Sequence, residues 1–206
     1  MHLLPGAVGS GVGVLDVNAD GWLDIVLIQG ADASGSQLFL NRGASAKPGH
    51  RFDPGQTLGG PDRFGMGLAT GDVDADGDLD LYVTGYVDFT RRPKFTNLRF
   101  PMDFGGIPNL LYRNNGDGTF TDVTLTSGDV NDAARKSMQA VFNDFNNDGR
   151  PDIFVTNDTD ANSLYLNKGD GTFKPFSGPS GLGTTDGSMG IALGDFNKDG
   201  LEDLVY

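Results

Sequence analysis

The chain has 206 residues, 32 of them glycine and none cysteine, and a formal net charge of −13. The acidic balance argues against phosphate recognition, which needs clustered Lys and Arg, and against an anionic membrane surface; it suits hard cations with oxygen ligands. No apolar run approaches the roughly 20 residues of a membrane span, the lack of cysteine removes disulfides and thiol chemistry, and the abundant glycine favours tight turns over long helices.

The opening "MHLLPGAVGSG" has no basic n-region and is not expected to act as a signal peptide. The first patterned segment is "GVGVLDVNADGWLDIVLI" (Gly11 to Ile28), in which a short apolar run leads into an acidic loop and out into a second apolar run. "SQLFLNRG" (Ser36 to Gly43) follows as a degenerate copy of the hairpin motif, closed by Phe52. "GLATGDVDADGDLDLYV" (Gly67 to Val83) repeats the acidic pattern. Next comes an insertion, residues 86–108, in which Arg91, Arg92, Lys94 and Arg99 interleave with Phe89, Phe95, Phe100 and Phe104. Such a loop either packs its own aromatic rings or presents them to a partner. "NLLYRNNGDGTFTDV" (Asn109 to Val123) reads as a hairpin with Asn-x-Gly turn chemistry. Residues 126–137 are the best candidate for a short helical turn. "MQAVFNDFNNDGRPDIFV" (Met138 to Val155), the hairpin "NSLYLNKGDGTFKPF" (Asn162 to Phe176) and "MGIALGDFNKDGLEDLVY" (Met189 to Tyr206) complete the series.

One repeat therefore supplies about four short strands at a spacing of roughly 50 residues, the pattern of a propeller blade. The expected fold is all-β: a single partial β-propeller over 1–206, with repeats at approximately 11–62, 63–125, 138–178 and 187–206. The last repeat contributes only its first two strands, giving about three and a half blades, whereas closed propellers have about four to eight. Further blades of the same protein, or a second chain, are the expected means of completing the ring.

The acidic loops share the pattern Asp-x-(Asp/Asn)-x-Asp-Gly-x-x-Asp. Side chains at positions 1, 3 and 5 of a tight loop converge, glycine at position 6 permits a left-handed reversal, position 7 offers its carbonyl, and position 9 returns a carboxylate. The expected ligand sets are Asp16, Asn18, Asp20, Trp22 and Asp24; Asp72, Asp74, Asp76, Asp78 and Asp80; Asp144, Asn146, Asp148, Arg150 and Asp152; and Asp195, Asn197, Asp199, Leu201 and Asp203. Trp22, Asp78, Arg150 and Leu201 are included for their backbone oxygen, which leaves the Asp78 carboxylate spare. About four Ca²⁺ ions are expected, because Mg²⁺ holds its waters more tightly and oxygen-only ligands do not suit zinc or copper. Without a cation, like charges about 4 Å apart cost about 4 kcal/mol per pair at an effective dielectric near 20. An EF-hand is excluded, since it needs a bidentate Glu at position 12, where this chain has Leu27, Val83, Val155 and Tyr206. Four equivalent loops point to a scaffold role, because a catalytic metal is usually unique.

Catalytic groups are sparse. His2 and His50 stand outside any cluster, and no Gly-x-Ser-x-Gly elbow is present. Asp158 and Asp160 in "NDTDANS" read as a polar turn, with ligand contact as the alternative, and "NDT" is a lone glycosylation sequon.

The acidic loops and the hairpins, notably "LYRNNGDGTFTDVT" and "FGMGLATGDVDADGDLDLYVTGY", resemble the FG-GAP/VCBS repeats of integrin-α-like propellers, and in pattern the propeller part of ASPIC/UnbV-type bacterial proteins. The resemblance implies a ring of seven or so blades, Ca²⁺ in the loops, and an extracellular or periplasmic protein made as a signal-bearing precursor. It implies binding of a protein or glycan, as in adhesion, without enzymatic activity. A polysaccharide-active propeller enzyme, or a half-propeller subunit that pairs with another chain, are the alternatives. Neither nucleic acid nor membrane insertion is expected.

Overall fold

A computed structural model describes residues 11–29, 35–60, 63–91, 97–133, 135–185 and 187–206. Within them the chain forms four antiparallel meanders. The first is β1 (Val12–Leu15), β2 (Asp24–Leu27), β3 (Ser36–Asn41) and β4 (Phe52–Leu58). The second is β5 (Gly65–Gly71), β6 (Asp80–Gly85), β7 (Leu110–Asn114) and β8 (Phe120–Asp122). The third is β9 (Ser137–Asn143), β10 (Asp152–Asn157), β11 (Ser163–Asn167) and β12 (Phe173–Pro175). The fourth is a pair, β13 (Ala192–Gly194) and β14 (Asp203–Val205). These are three full blades and the start of a fourth.

The blades stack through their innermost strands, with β5 packed between β1 and β9. Glycine permits the close approach: a Cβ on Gly67 would lie 2.9 Å from the Met138 carbonyl oxygen. Each core lies between blades. Leu15, Val17, Val26 and Leu38 of blade 1 meet Leu81, Val83, Tyr112 and Phe120 of blade 2. Val73, Tyr82 and Leu111 of blade 2 meet Ile153, Val155 and Tyr165 of blade 3, and Phe154 and Leu164 of blade 3 meet Ile191 and Leu204. Strand side chains alternate, so one set faces the preceding blade and the other the following blade. Burying one such Val, Leu, Ile or Phe contributes about 1.5–3 kcal/mol, and both faces of an internal blade share in it.

The two outermost faces differ. Val12 and Val14 on β1 are 62% and 57% exposed, and Phe196 after β13 is 60% exposed, whereas its counterpart Val17 is 0% exposed. The hydrophobic pattern of an internal blade is thus kept at both ends of the stack, and its outward face meets solvent.

The acidic loops and hairpin turns share one end of the stack; the insertion lies at the other, where β6 ends and β5 and β9 begin. Of its rings, Phe89, Phe100 and Phe104 pack on one another and on Phe64 and Tyr86, with centroid separations of 5.4–6.1 Å. The cluster closes over Met66 and Met138. Of the two readings of this loop, the structure therefore displays the self-packed one; Arg92, Lys94 and Phe95 lie outside the described residues.

Residues 126–137 hold turns, and among the described residues there no helix forms. Their backbone groups bond to neighbouring blades: Val130 O accepts from the Tyr82 hydroxyl at 2.5 Å, Asn131 O from Asn109 N, and Ser127 O from Phe173 N. A single helical turn, Ser177–Ser180, follows β12 instead. Among the described residues no helix is long and apolar enough to cross a membrane.

Candidate metal centres

In every loop the position-1 aspartate organises the backbone. Asp16 accepts from Asp20 N and Gly21 N at 3.1 and 2.8 Å, and Asp72 from Asp76 N and Gly77 N at 3.2 and 3.1 Å. Asp144 and Asp195 do the same for Asp148–Gly149 and Asp199–Gly200. The glycines adopt the expected left-handed φ, between 83° and 97°. Position 4 is left-handed as well, although it carries Ala19, Ala75, Asn147 and Lys198, with φ of 54° to 65°. Non-glycine residues rarely sit there, and only Asn147 hints at it in the sequence.

The second loop concentrates charge most. Asp72, Asp74 and Asp80 bring carboxylate oxygens within 4.8 Å of one another. Asp74 Oδ1 is buried and has no hydrogen-bond partner. Asp76 instead turns to Asp78 N at 2.9 Å. Burial raises the Asp74 pKa, and the neighbouring Asp76 charge raises it further. Burial also pushes Asp80 up to about 6, against the opposing pull of the Val73 and Asn114 amides. A site of hard, crowded oxygens with one atom unpartnered fits a divalent cation such as Ca²⁺.

The other loops are looser. Among the described residues they form no comparable trio of carboxylates. Position 3 is Asn18, Asn146 or Asn197, and position 5 is diverted: Asp20 accepts from Trp22 N, Asp148 from Arg150 and Asn146, and Asp199 from Asn197. Arg150 thus brings an internal cation to its loop. Burial raises Asp152 too.

Position 9 does more than offer an oxygen. Asp24, Asp80 and Asp152 are each 0% exposed. One oxygen of each accepts from the position-2 amide (Val17, Val73 or Phe145) at 2.8–3.1 Å. The other accepts from Asn41 N, Asn114 N or Asn167 N at 2.6–2.8 Å. Those asparagines then return a side-chain amide to Leu23 O, Leu79 O or Pro151 O, and accept from Gly43, Gly116 or Gly169. Loop and hairpin are thereby clamped in each full blade. Asn167 also reaches Val73 O of the previous blade at 2.9 Å. In the fourth repeat Asp203 accepts from Phe196 N and Asn197 N, and among the described residues no hairpin asparagine meets it.

Asn41, Asn114 and Asn167 were missed as site residues; their recurring Asn-x-Gly signature reads from sequence as turn chemistry alone. Position 7 has a second role as well. Trp22, Asp78 and Arg150 lie over Gly43, Gly116 and Gly169, so the Asp78 carboxylate is held against the turn, 2.7 Å from where a Gly116 Cβ would stand.

The remaining candidates are structural. Asp158 accepts from the Tyr86 hydroxyl at 2.6 Å and Asp160 pairs with Lys136 at 3.0 Å. Asn157 of the sequon is 0% exposed, with its amide bonded to Ala161 O, so it offers no acceptor for a glycan. His50 is exposed in the loop before β4, and His2 lies outside the described residues.

Among known proteins, the chain is similar to cartilage acidic protein 1 of Xenopus tropicalis, 43% identical over 61 residues, and to that of Homo sapiens, 43% over 56 residues. These stretches span 29% and 27% of this chain and only 9% and 8% of the relatives. The family model for the FG-GAP-like repeat matches residues 16–83, 105–155 and 144–206, most of the chain and all four acidic loops. On that match, the chain belongs to the family of FG-GAP-like repeats.

Proposed function

We propose that the chain is a calcium-stabilised, non-enzymatic blade scaffold that presents its surface to a protein or glycan outside the cell. The observation that carries the reading is the convergence of Asp72, Asp74 and Asp80 around an unpartnered Asp74 oxygen, in a loop that recurs in every blade. Side-chain oxygens at positions 1, 3, 5 and 9 and the carbonyl at position 7 would hold the ion in each loop. Bound calcium would supply positive charge that neutralises the crowded carboxylates. Extracellular modules work with weak sites, at dissociation constants of about 10⁻⁴–10⁻³ M, and exposed loops of this kind suit that range. Isothermal calorimetry with calcium is expected to give about four sites, the tightest in the second loop and lost in Asp74→Ala. An absence of both binding heat and thermal stabilisation at millimolar calcium would sink the reading.

The end faces support a second element of the proposal, the docking of further blades. Val12, Val14, Ile25 and Leu27 occupy the positions that Leu68, Leu81 and Val83 fill in blade 2, and Phe142, Ile153 and Val155 in blade 3, where the preceding blade covers them. An apolar sheet face of this kind is a binding surface or an aggregation hazard. The chain alone is expected to self-associate in sedimentation, and Val12→Asp with Val14→Asp to suppress it. A monomer whose doubly substituted variant is no more soluble would count against the assignment.

A further inference from the structure

Blade 2 departs from its neighbours at one position of its third strand. Arg113 stands where β3 carries Leu40 and β11 carries Leu166, each directly before the clamp asparagine. Leu40 packs into the core between blades 1 and 2, and Leu166 is buried against the fourth repeat. Arg113 is exposed instead. The place that leucine fills elsewhere is left as a cleft of about 220 Å³ between blades 2 and 3, at the acidic-loop end.

The cleft is lined by Val73, Asp74, Arg113, Ser127, Asp170 and Thr172, among others. Arg113 forms no ion pair among the described residues. Ser127 is 3% exposed, and its hydroxyl has no hydrogen-bond partner among the described residues. Thr172 donates its hydroxyl to Asp170 at 2.5 Å and keeps its oxygen lone pairs for an incoming donor. The Arg113 guanidinium, the Ser127 hydroxyl and a hydroxyl–carboxylate pair thus line one small space.

We propose that this cleft is a subsite for a carboxylated sugar ring, a uronate. The sugar carboxylate pairs with the Arg113 fork, the geometry in which guanidinium surpasses ammonium. Ring hydroxyls bond to Ser127 Oγ, Thr172 Oγ and the Asp170 carboxylate. The volume is below the roughly 300–1,000 Å³ of drug-sized pockets and suits a single ring at the end of a chain. An acidic peptide side chain would satisfy Arg113 but leave the hydroxyl and carboxylate groups without hydroxyl partners. The proposal deepens the glycan reading above and rests on it.

Calorimetry of the calcium-loaded chain with digalacturonate, neutral digalactose and an aspartate-rich peptide tests it. Digalacturonate is expected to bind and digalactose not. Arg113→Leu is expected to weaken digalacturonate roughly tenfold or more, the loss of one charge-assisted contact. Leucine at this position is native to the other two full blades, so the variant should fold, and its calcium-dependent melting shift should persist. Equal affinity in Arg113→Leu, or failure of digalacturonate to bind a chain that still shows the shift, overturns the subsite. Binding of the peptide in place of the uronate overturns it as well. Loss of the shift in the parent chain defeats the calcium scaffold itself.

Discussion

Chelation is expected to lower the melting temperature by about 10 °C or more relative to the chain in millimolar calcium. An ion present in millimolar calcium at about ten times its dissociation constant adds about 1.4 kcal/mol per site. For a chain of this size each kcal/mol moves the midpoint by about 2–4 °C, so the four loops together suffice. Asp74→Ala carries the sharper signature. In calcium it is expected to lower the midpoint by about 3 °C or more, the worth of one site at that occupancy. In chelator it is expected to raise it or leave it unchanged, because the half-buried Asp74 carboxylate among like charges is costly there, as its raised pKa indicates. Scanning calorimetry under both conditions reads the two signs. A fall of equal size in both would mean that Asp74 serves the fold and not an ion.

The blade count was legible in the sequence because each repeat carries its own strand, loop and hairpin signals, and the described structure has the three full meanders and the final pair that the repeats imply. Phe52, expected to close the degenerate first hairpin, lies at the start of its second strand, β4. Connections between blades were not legible. Residues 126–137 look weakly helical in local composition, but Tyr82, Asn109 and Phe173, all from other elements, claim their carbonyls. Local propensity is overridden there by contacts that no short window contains. The site divided in the same way. Ligand types and spacing could be read from the loop itself, and so could the glycine reversal. The clamp could not, because Asp80 and Asn114 meet only when β7 pairs with β6 and brings its hairpin beside the loop. Nor could the inequality of the four loops, which arises from Asn18, Asn146 and Asn197 at position 3 and from Arg150 folding back onto Asp148.

Asp80→Ala is expected to destabilise the chain by about 2–4 kcal/mol even in chelator. The substitution strands two buried amides, Val73 N and Asn114 N, which Asp80 accepts at 2.8 Å each. An orphaned buried donor costs about 1–3 kcal/mol, and relief of the buried carboxylate charge offsets part of the sum. Asp203→Ala is the control: among the described residues it meets no hairpin amide, and its loss in chelator is expected to stay below about 1 kcal/mol, as at ordinary surface positions. Urea unfolding of both variants separates the clamp from the ion, since the two aspartates are equivalent as ligands and unequal as hydrogen-bond acceptors. Equal losses would refute the clamp. The pH dependence has a defined sign. Burial holds Asp80 at about 6 in the folded chain, above its ordinary 3.8. The folded state therefore keeps a proton that the unfolded state releases. The Asp80 contribution to calcium-free stability is fully present below about pH 4 and is lost as pH rises through about 6. Calcium affinity runs the other way, because the ion needs the carboxylate, and is expected to fall as pH drops below about 6. Asp80→Asn removes the titrating proton, so the calcium-free pH slope between about 4 and 6 should flatten relative to the parent, and an unchanged slope would assign it to other carboxylates.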